Sequence, residues 1–501
     1  MRRARLVLLA VVALALLVAV PTALSGGTAW VSEVYRYAMS GGNGRSALNA
    51  RAGALGELAL PWDGKSTGQV REFQITIART NWELEPGKSL EAFTYNGSIP
   101  GPTLRVTEGD TVRVTVTNAL DEPTTVHWHG LDLPLSMDGV AGMSQDPIQP
   151  GTSFTYEFIA TPAGTRWYHS HFRELLQHGG GLYGALIVEP LEAPAEPPAD
   201  REYTLFSGEM VTGVRPAPQG AEYQAMGHGG AADIIPGRPL FDRFAINGKT
   251  YAGSTPLLVR QGERVRLRVI NASTTESQVL ALAGHRLRIT HSDGNPLSAA
   301  VETEAVRLGA GERADLEFVA DNPGRWRFQS LSPGHFTRGL AIDVLYEGRE
   351  ADPAQGFDPY ASPNVATYAQ FGGPPHPDEP QRVYDLTLSG DYDNGESWTI
   401  NGKRAPFTDP LDLSQGDRVR LKLYNASGED HPMHLHGHSF QLVAIEGQPV
   451  NGPIKDTLTV GPEQRYEIEF VGNNPATWLF HCHNIVHMGA GMSAEVRYGG
   501  G

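Results

Sequence analysis

The sequence predicts an all-β protein made of three β-sandwich domains in series. One strand pattern occurs three times, as VRVTVTN at 112–118, VRLRVIN at 265–271 and VRLKLYN at 419–425. Apolar and polar residues alternate in each copy, as in a strand with one buried face. Each final Asn lies nine residues beyond a Gly of a Gly-Asp or Gly-Glu turn. Alternating strands separated by turns, without long amphipathic helices, are typical of antiparallel sandwiches.

A second half-unit repeats in the same order along the chain. Phe158, Phe318 and Phe470 each close an alternating strand, and a Pro-containing turn then leads to a Trp at 167, 326 or 478. Pro-rich stretches at 189–200 and about 348–380 separate the copies. We therefore expect domains at 70–190, 201–347 and 380–498.

The N-terminal segment has the composition of an export signal. Arg2, Arg3 and Arg5 precede an apolar run at 6–20, and Pro21 and small residues follow it. Residues 1–27 are predicted to be a signal peptide or, if they are not cleaved, a membrane anchor. The rest of the chain would then be exported, to the periplasm or the extracellular space. Sec and twin-arginine export both remain open.

The net charge excludes one class of partner. The chain of 501 residues carries a formal charge of −16 at pH 7. Binding to phosphate backbones requires clustered Lys and Arg, so no nucleic-acid partner is expected.

The three copies differ in their histidines. Nine residues beyond the recurring Asn lie His127, Leu280 and His434, and two residues further lie His129, Leu282 and His436. The same difference between the outer copies and the middle copy is found after each recurring Trp. The first and third copies have His169, His171, His481 and His483 there, and the middle copy has Phe328-Gln329-Ser330.

Four His-x-His pairs of this kind predict a shared metal cluster. Residues i and i+2 of a strand point to the same side, so each pair directs two imidazoles at one place. Four imidazoles from each outer domain place the cluster between the first and third domains, and their number requires several metal ions. The middle domain is then a spacer whose leucines pack as ordinary core. Nitrogen-rich ligands beside a cysteine and a methionine favour copper over zinc.

Cys482, the only cysteine of the chain, lies between His481 and His483 and is followed by His487 and Met492. Two imidazoles, a thiolate and a weak axial thioether are the donors of a blue-copper site. A lone cysteine is more often a buried thiol, but the surrounding histidines favour a copper ligand.

These motifs resemble the multicopper oxidase family, of the three-domain laccase and cuprous-oxidase type. The four blocks are HWHG at 127–130, WYHSH at 167–171, HPMHLHGH at 431–438 and HCHNIVHMGAGM at 481–492, and the likeness spans about 70–498. The resemblance implies cupredoxin-like Greek-key sandwiches and four copper ions per chain. It assigns His431, Cys482 and His487 to type 1 copper, with Met492 axial, and His127 and His434 to type 2 copper. It assigns the type 3 pair to His129, His169, His171, His436, His481 and His483.

The resemblance also implies an oxidase. One-electron donors would be oxidised at the type 1 copper and dioxygen reduced by four electrons to water at the cluster, with Cys482 and its two neighbours as the electron route. We expect phenols or aromatic amines as donors; the alternative is a metallo-oxidase acting on Cu(I), Fe(II) or Mn(II). A copper nitrite reductase, a non-enzymatic cupredoxin scaffold and a copper storage protein each fit the ligand set less well.

Three aspartates are candidates for acids near the cluster. Asp138 matches the position of a proton-relay acid in the family, although a turn Asp before Gly139 is an equally good interpretation. Asp132 is expected to be structural. Asp456 is expected to be a solvated or capping carboxylate near the type 1 site. Met488 stands where many relatives carry a second acid, which puts a second proton route in doubt.

Overall fold

The computed structural model describes residues 66–192, 198–216, 223–226, 232–235, 237–358, 362–376, 379–391 and 397–499. The predicted signal or anchor segment at 1–27 lies outside these residues. In the described part of the chain, no helix has the length and apolar character needed to cross a membrane.

The first sandwich consists of strands β1 to β8. Their bounds in chain order are Val70–Glu85, Lys88–Tyr95, Gly101–Thr107, Thr111–Asn118, His127–His129, Ser153–Ile159, Gly164–His169 and Tyr183–Glu189. One sheet has the order β2-β1-β4-β6, and the other has the order β3-β8-β7-β5. Helix α1 (Glu174–Gln177) lies between β7 and β8, and a 3-10 turn (Leu135–Met137) lies between β5 and β6.

The middle sandwich consists mainly of strands β9 and β14 to β24, with β10 to β13 forming two separate hairpins. The bounds of β9 to β24 are Arg201–Met210, Gly213–Pro216, Tyr223–Met226, Ala232–Ile235, Gly237–Leu240, Arg243–Ile246, Leu257–Val259, Arg264–Asn271, Gln278–Leu282, Leu287–Ser292, Asn295–Thr303, Ala305–Leu308, Arg313–Val319, Arg325–Ser330, Ala341–Tyr346 and Val365–Ala366. Its sheets have the orders β14-β9-β16-β21-β18-β19 and β15-β23-β22-β17-β20-β24. Two 3-10 turns, Tyr251–Gly253 and Tyr368–Gln370, complete this part.

The third sandwich consists of strands β25 to β36. Their bounds are Arg382–Asp391, Ser397–Ile400, Leu411–Leu413, Arg418–Asn425, His431–Leu435, Phe440–Ile445, Gln448–Pro449, Ile454–Lys455, Thr457–Val460, Arg465–Val471, Thr477–Cys482 and Ser493–Tyr498. Its sheets have the orders β26-β25-β28-β34-β30-β31, with β32 also on β30, and β27-β36-β35-β29-β33. Helix α2 (Ile485–Gly489) follows β35.

The sheets are mixed, so the prediction of purely antiparallel sandwiches is wrong in this detail. In each unit the opening strand runs parallel to the repeated alternating strand: β1 with β4, β9 with β16 and β25 with β28. Alternation reports which face of a strand is buried, and it carries no information on strand direction. The prediction of three consecutive cupredoxin-like Greek-key sandwiches is confirmed.

Buried apolar residues form one cluster through the outer two sandwiches and a separate one in the middle sandwich. The first includes Trp128 and Trp478, and the second includes Leu280 and Leu282. Both leucines are fully buried, as the spacer interpretation requires. The outer sandwiches therefore meet through a continuous apolar core.

Candidate metal centres

Cross-strand pairing brings the histidines of each outer sandwich together. His127 on β5 faces His169 on β7, and His434 on β29 faces His481 on β35. In the middle sandwich the corresponding pair is Leu280 on β17 and Ser330 on β22. Cross-strand neighbours lie about 5 Å apart, so one facing pair and its i+2 partners place four imidazoles on one side of each outer sheet.

The two sets of four meet between the first and third sandwiches. The rings of His129 and His434 stack with centroids 3.8 Å apart, and the ring centroids of His127 and His436 are 4.1 Å apart. Groups of three whose donor atoms lie within 4.8 Å of one another recur in this region, among them His171, His436 and His481. We call the whole set the eight-histidine cluster; it contains His127, His129, His169, His171, His434, His436, His481 and His483.

Seven of these imidazoles use one ring nitrogen for a protein hydrogen bond, and every partner offers an oxygen that can accept. Main-chain carbonyl oxygens accept Nδ1–H of His127, His169, His434 and His481 at 2.8 to 3.0 Å. Carboxylates accept Nδ1–H of His171 and His436 and Nε2–H of His129. These bonds fix the tautomers, since a carbonyl or ionised carboxylate forces the proton onto the bonded nitrogen.

The remaining ring nitrogens of the eight-histidine cluster are buried. Among the described residues no hydrogen-bond partner reaches Nε2 of His127, His169, His171 and His434, Nδ1 of His129, or either nitrogen of His483. Nε2 of His436 and Nε2 of His481 face each other at 3.1 Å. Unpaired buried polar atoms are costly. Their convergence is the pattern of a metal-binding site, and nitrogen donors of this kind suit copper.

Burial keeps the cluster in its neutral, ligand-competent form. It lowers the pKa of His129, His434 and His436 far below the ordinary value, and that of His481 to about 3. His171 is the exception: burial would lower its pKa, but the nearby carboxylate of Glu174 raises it above the usual range. Neutral imidazole is the form that binds metals.

A second group gathers around the cysteine. Nδ1 of His431 and Nδ1 of His487 lie 3.1 Å apart, and each is 3.7 Å from Sγ of Cys482. Met492 is fully buried, and its main-chain carbonyl accepts the N–H of Cys482. We call His431, Cys482, His487 and Met492 the cysteine group. Burial raises the pKa of the Cys482 thiol and lowers that of His431 to about 3.

The surroundings of the cysteine group are apolar. Both His431 and His487 are fully buried, and the ring of Trp398 stacks on His487 with centroids 3.7 Å apart. Asn484 caps α2, and its side-chain oxygen accepts the N–H of His487. The ring of His487 is therefore covered by Trp398 in this structure.

Asp138 is buried between the two halves of the eight-histidine cluster. Its Oδ2 accepts Nδ1–H of His436 at 2.9 Å, and its main-chain carbonyl accepts Nδ1–H of His127 at 2.8 Å. Its Oδ1 is 3.2 Å from the same nitrogen of His127. The 3-10 turn before Asp138 places it there. The turn and the functional interpretations of Asp138 are thus compatible.

Asp456 differs from its prediction. It is not solvated: it is buried, it accepts Nε2–H of His129 at 3.0 Å, and it forms a two-pronged ion pair with Arg313. Its main-chain carbonyl accepts Nδ1–H of His434, so it lies at the eight-histidine cluster rather than at the cysteine group. The interpretation failed because its partner Arg313 is far away in sequence.

Two further acids, Asp132 and Glu174, lie in the first sandwich. Asp132 is half-buried, and desolvation raises its pKa to about 7. Glu174 was missed by the sequence analysis. It lies on α1, is buried, and accepts Nδ1–H of His171 at 2.9 Å. Its position three residues after His171 was a signal that could have been used, since a short turn between them brings such close neighbours into contact.

Comparison with known proteins gives the family. Multicopper oxidase family models match residues 76–193, 217–349 and 376–500. A multicopper oxidase of Mycobacterium tuberculosis, MmcO, is 33% identical in an alignment that covers 82% of this chain and 84% of that protein. A copper resistance protein A homologue of Pseudomonas syringae is 27% identical in an alignment that covers 88% of this chain and 94% of the relative.

The solved structures agree with this result. A laccase from Botrytis aclada superposes with a TM-score of 0.73 at 25% identity, and the match covers 87% of this chain and 89% of the laccase. The matched regions contain both the eight-histidine cluster and the cysteine group. This chain therefore belongs to the multicopper oxidases.

Proposed function

We propose that the chain is an exported multicopper oxidase that binds four copper ions and couples one-electron oxidation of phenols or aromatic amines to the reduction of dioxygen to water. In this proposal His431, Cys482, His487 and Met492 of the cysteine group would hold type 1 copper. His127 and His434 bind type 2 copper, and the other six members of the eight-histidine cluster bind the type 3 pair. Export rests on the signal-like composition of residues 1–27.

The single observation that supports this proposal best is the set of buried ring nitrogens without partners. A protein pays a desolvation penalty for each of them, and nothing in the described fold offsets it. Bound metal would satisfy them together. The His-x-His pairs come equally from two sandwiches, as a shared polynuclear site requires.

Copper, when bound, supplies reversible one-electron transfer and the reduction of dioxygen. The chain supplies the connection between the two groups. Cys482 is covalently joined to His481 and His483, so the cysteine group and the eight-histidine cluster are one residue apart along the backbone. The full burial of Cys482, His481 and His483 excludes bulk water from this route.

Asp138 is the acid that we assign to proton delivery. It contacts one histidine from each outer sandwich, His127 and His436, and so lies beside both the type 2 and the type 3 ligands of the proposal. Oxygen reduction consumes protons, and a positioned carboxylate can carry them.

The apolar shell of the cysteine group supports an aromatic electron donor. Leu175 of the first sandwich packs with Ile485, Val486 and Met488 around α2, and Trp398 covers His487. A phenol or an aromatic amine loses little on approaching a buried apolar layer of this kind, while a hydrated cation must give up water there. This contrast favours organic donors.

One observation favours the second candidate, oxidation of Cu(I), Fe(II) or Mn(II). Glu429 and Asp430 directly precede His431, and burial together with Asp430 raises the pKa of Glu429. Burial and the charges of Glu209, Glu429 and Asp430 raise the pKa of Glu276. Arg307 pairs with Asp430, and a metal cation would relieve the repulsion that remains among these carboxylates.

The test is oxygen uptake by copper-loaded protein with a simple phenol, an aromatic amine, Cu(I), Fe(II) and Mn(II) in parallel, each corrected with the Cys482→Ser variant. We expect the largest kcat/KM with the phenol or the amine. Turnover confined to the metal ions would replace the first candidate with the second. No oxygen uptake with any donor would contradict the oxidase proposal itself.

A further inference from the structure

We propose that Arg313 and Asp293 of the middle sandwich are positioning residues for the eight-histidine cluster and act through Asp456 of the third sandwich. This inference rests on the proposed function, because it concerns how two proposed copper ligands are held. It assigns a role to the sandwich that contributes no ligand.

Arg313 begins β21 and is fully buried. Its two terminal nitrogens donate to the two carboxylate oxygens of Asp456, at 2.6 Å each. Parallel bonds of this kind are the strongest and most directional ion-pair geometry. Both oxygens of Asp456 thus bind the guanidinium, and the carboxylate faces His129 as a hydrogen-bond acceptor.

This ion pair determines which nitrogen of His129 is free. Oδ1 of Asp456 lies 3.0 Å from Nε2 of His129, and Thr457 Oγ1 lies at the same distance. A carboxylate paired with arginine accepts Nε2–H of His129, so Nδ1 carries no proton. Nδ1 is the buried nitrogen that has no partner among the described residues. Arg313 thus selects the tautomer and ring orientation of His129 indirectly, through Asp456.

Asp293 holds the main chain of the same segment. It adopts a left-handed conformation with φ of 46°, and its Oδ2 accepts the N–H groups of Asp456 and Thr457 at 3.3 and 3.1 Å. Its Oδ1 accepts the N–H of Arg313 at 2.9 Å. The main-chain oxygen of Asp456, fixed in this way, accepts Nδ1–H of His434. A histidine of each outer sandwich is therefore held through one aspartate.

The close approach of the middle sandwich is visible in two glycines. A Cβ on Gly130, the last residue of HWHG, would lie 2.6 Å from both the Arg313 guanidinium and the Asp456 carboxylate. A Cβ on Gly311 would lie 2.9 Å from the ring of His483. Because Gly130 and Gly311 have no side chains, residues 311–313 can lie against the eight-histidine cluster.

The third sandwich has an equivalent arginine that lacks this role. Arg465 lies five residues before Phe470, as Arg313 lies five before Phe318. The N–H of Arg465 donates to Glu446 at 2.8 Å, and Glu446 has a φ of 49° like Asp293. Arg465 is nevertheless exposed, and its guanidinium lies 3.9 Å from the centre of the Tyr424 ring. The repeated turn therefore does not require a buried arginine, and Arg465 is a matched control.

The test compares Arg313→Met, Arg313→Lys, Asp293→Asn and Arg465→Met in copper-loaded protein. Copper content, blue absorption, the electron paramagnetic resonance of type 2 copper and chelator competition are measured for each. We expect Arg313→Met to keep its blue absorption while its other coppers bind about 10- to 100-fold more weakly, with an altered type 2 signal. Arg313→Lys and Asp293→Asn should be intermediate, since lysine supplies a charge without a fork. Arg465→Met should match the parent protein.

The blue absorption also shows whether each variant folds. If Arg313→Met does not fold, Arg313→Lys and Asp293→Asn still decide, because each retains a polar group. Parental chelator resistance and an unchanged type 2 signal in folded Arg313 and Asp293 variants would overturn the inference and leave the proposed function intact. A parent protein that holds a single copper ion would instead contradict the proposed function, and the inference with it.

Discussion

The outer sandwiches and the middle sandwich have the same strand plan but use the same cross-strand position for opposite purposes. His127 faces His169 and His434 faces His481, whereas Leu280 faces Ser330. Leu280 and Leu282 are ordinary core. The fold therefore does not need imidazoles at these positions. Histidines there leave nitrogens buried without partners, so they cost stability in the metal-free chain.

The middle sandwich contributes no histidine to the eight-histidine cluster but still contacts it. Its glycine and arginine at 311 and 313 lie against His483 and Asp456. In our proposal it is therefore more than a spacer. Substitutions at the cysteine, at the facing cross-strand pairs and at the buried carboxylates test this difference between the sandwiches.

The largest effect is expected at Cys482, which only the third sandwich possesses. Cys482→Ser should abolish blue absorption and reduce oxygen uptake to the level of the buffer blank, because in the proposed function its thiolate is the copper ligand that joins the two groups. The fold should persist, since serine is of similar size. Visible absorption, oxygen uptake and circular dichroism check this. Oxidase activity at the parental level would contradict the electron route.

His434→Leu makes the third sandwich resemble the middle one. We expect it to lose the type 2 signal and oxygen reduction and to keep blue absorption. Metal-free stability should change by only about 1 kcal/mol, since one lost hydrogen bond is balanced by one fewer unpaired nitrogen. Electron paramagnetic resonance and urea unfolding measure the two effects.

Leu280→Ala is the reciprocal control in the middle sandwich. It should lower the free energy of unfolding by about 2 to 5 kcal/mol with copper content unchanged. If His434→Leu destabilised the metal-free chain as much as Leu280→Ala does, the histidines would be part of the fold, and the comparison would be wrong.

Acid should destabilise the metal-free protein because of the histidines in the outer sandwiches. The folded-state pKa values of His431 and His481 are about 3, below the unfolded value of about 6.5. The unfolded chain therefore takes up protons first as the pH falls below about 6.5, and stability decreases until the pH approaches about 3. Each such histidine costs up to about 1.4 kcal/mol per pH unit.

Urea midpoints of metal-free protein between pH 8 and pH 4 measure this slope. His481→Leu should reduce this pH dependence of stability by the contribution of one histidine. Bound copper should shift the loss to lower pH, because the metal holds the imidazoles neutral. A flat profile for metal-free protein across this range would exclude the assigned cause.

The fold and the histidine pairs could be predicted from the sequence because both appear as local or repeated patterns. Period-2 alternation identified strands, and counting from the recurring Asn separated His127 and His434 from Leu280. Strand direction was missed, since alternation does not encode it. The roles of Asp456 and Arg313 were missed for a different reason. Their contact joins residues 143 positions apart, and Arg313 and Arg465 occupy equivalent positions in the repeat.

Asp138→Asn tests the carboxylate that the sequence did identify. The amide can still accept from His436, but it presents N–H groups where His127 already donates, and it cannot carry a proton. We expect kcat to fall by about 10²-fold or more with an unchanged KM for the electron donor and unchanged blue absorption. Steady-state kinetics at saturating oxygen measure this. A variant with parental kcat would remove Asp138 from the proton route.

Glu174→Gln should have the smallest effect, and it tests the carboxylate that the sequence analysis overlooked. The glutamine oxygen can still accept Nδ1–H of His171, but it loses the charge that strengthens this bond. We expect about tenfold weaker copper binding at the cluster in chelator competition, and a larger loss in Glu174→Leu, which has no acceptor. Glu157→Gln removes an equal charge from an exposed strand position and should leave binding unchanged. Equal chelator resistance in all three variants would mean that His171 keeps its orientation without Glu174.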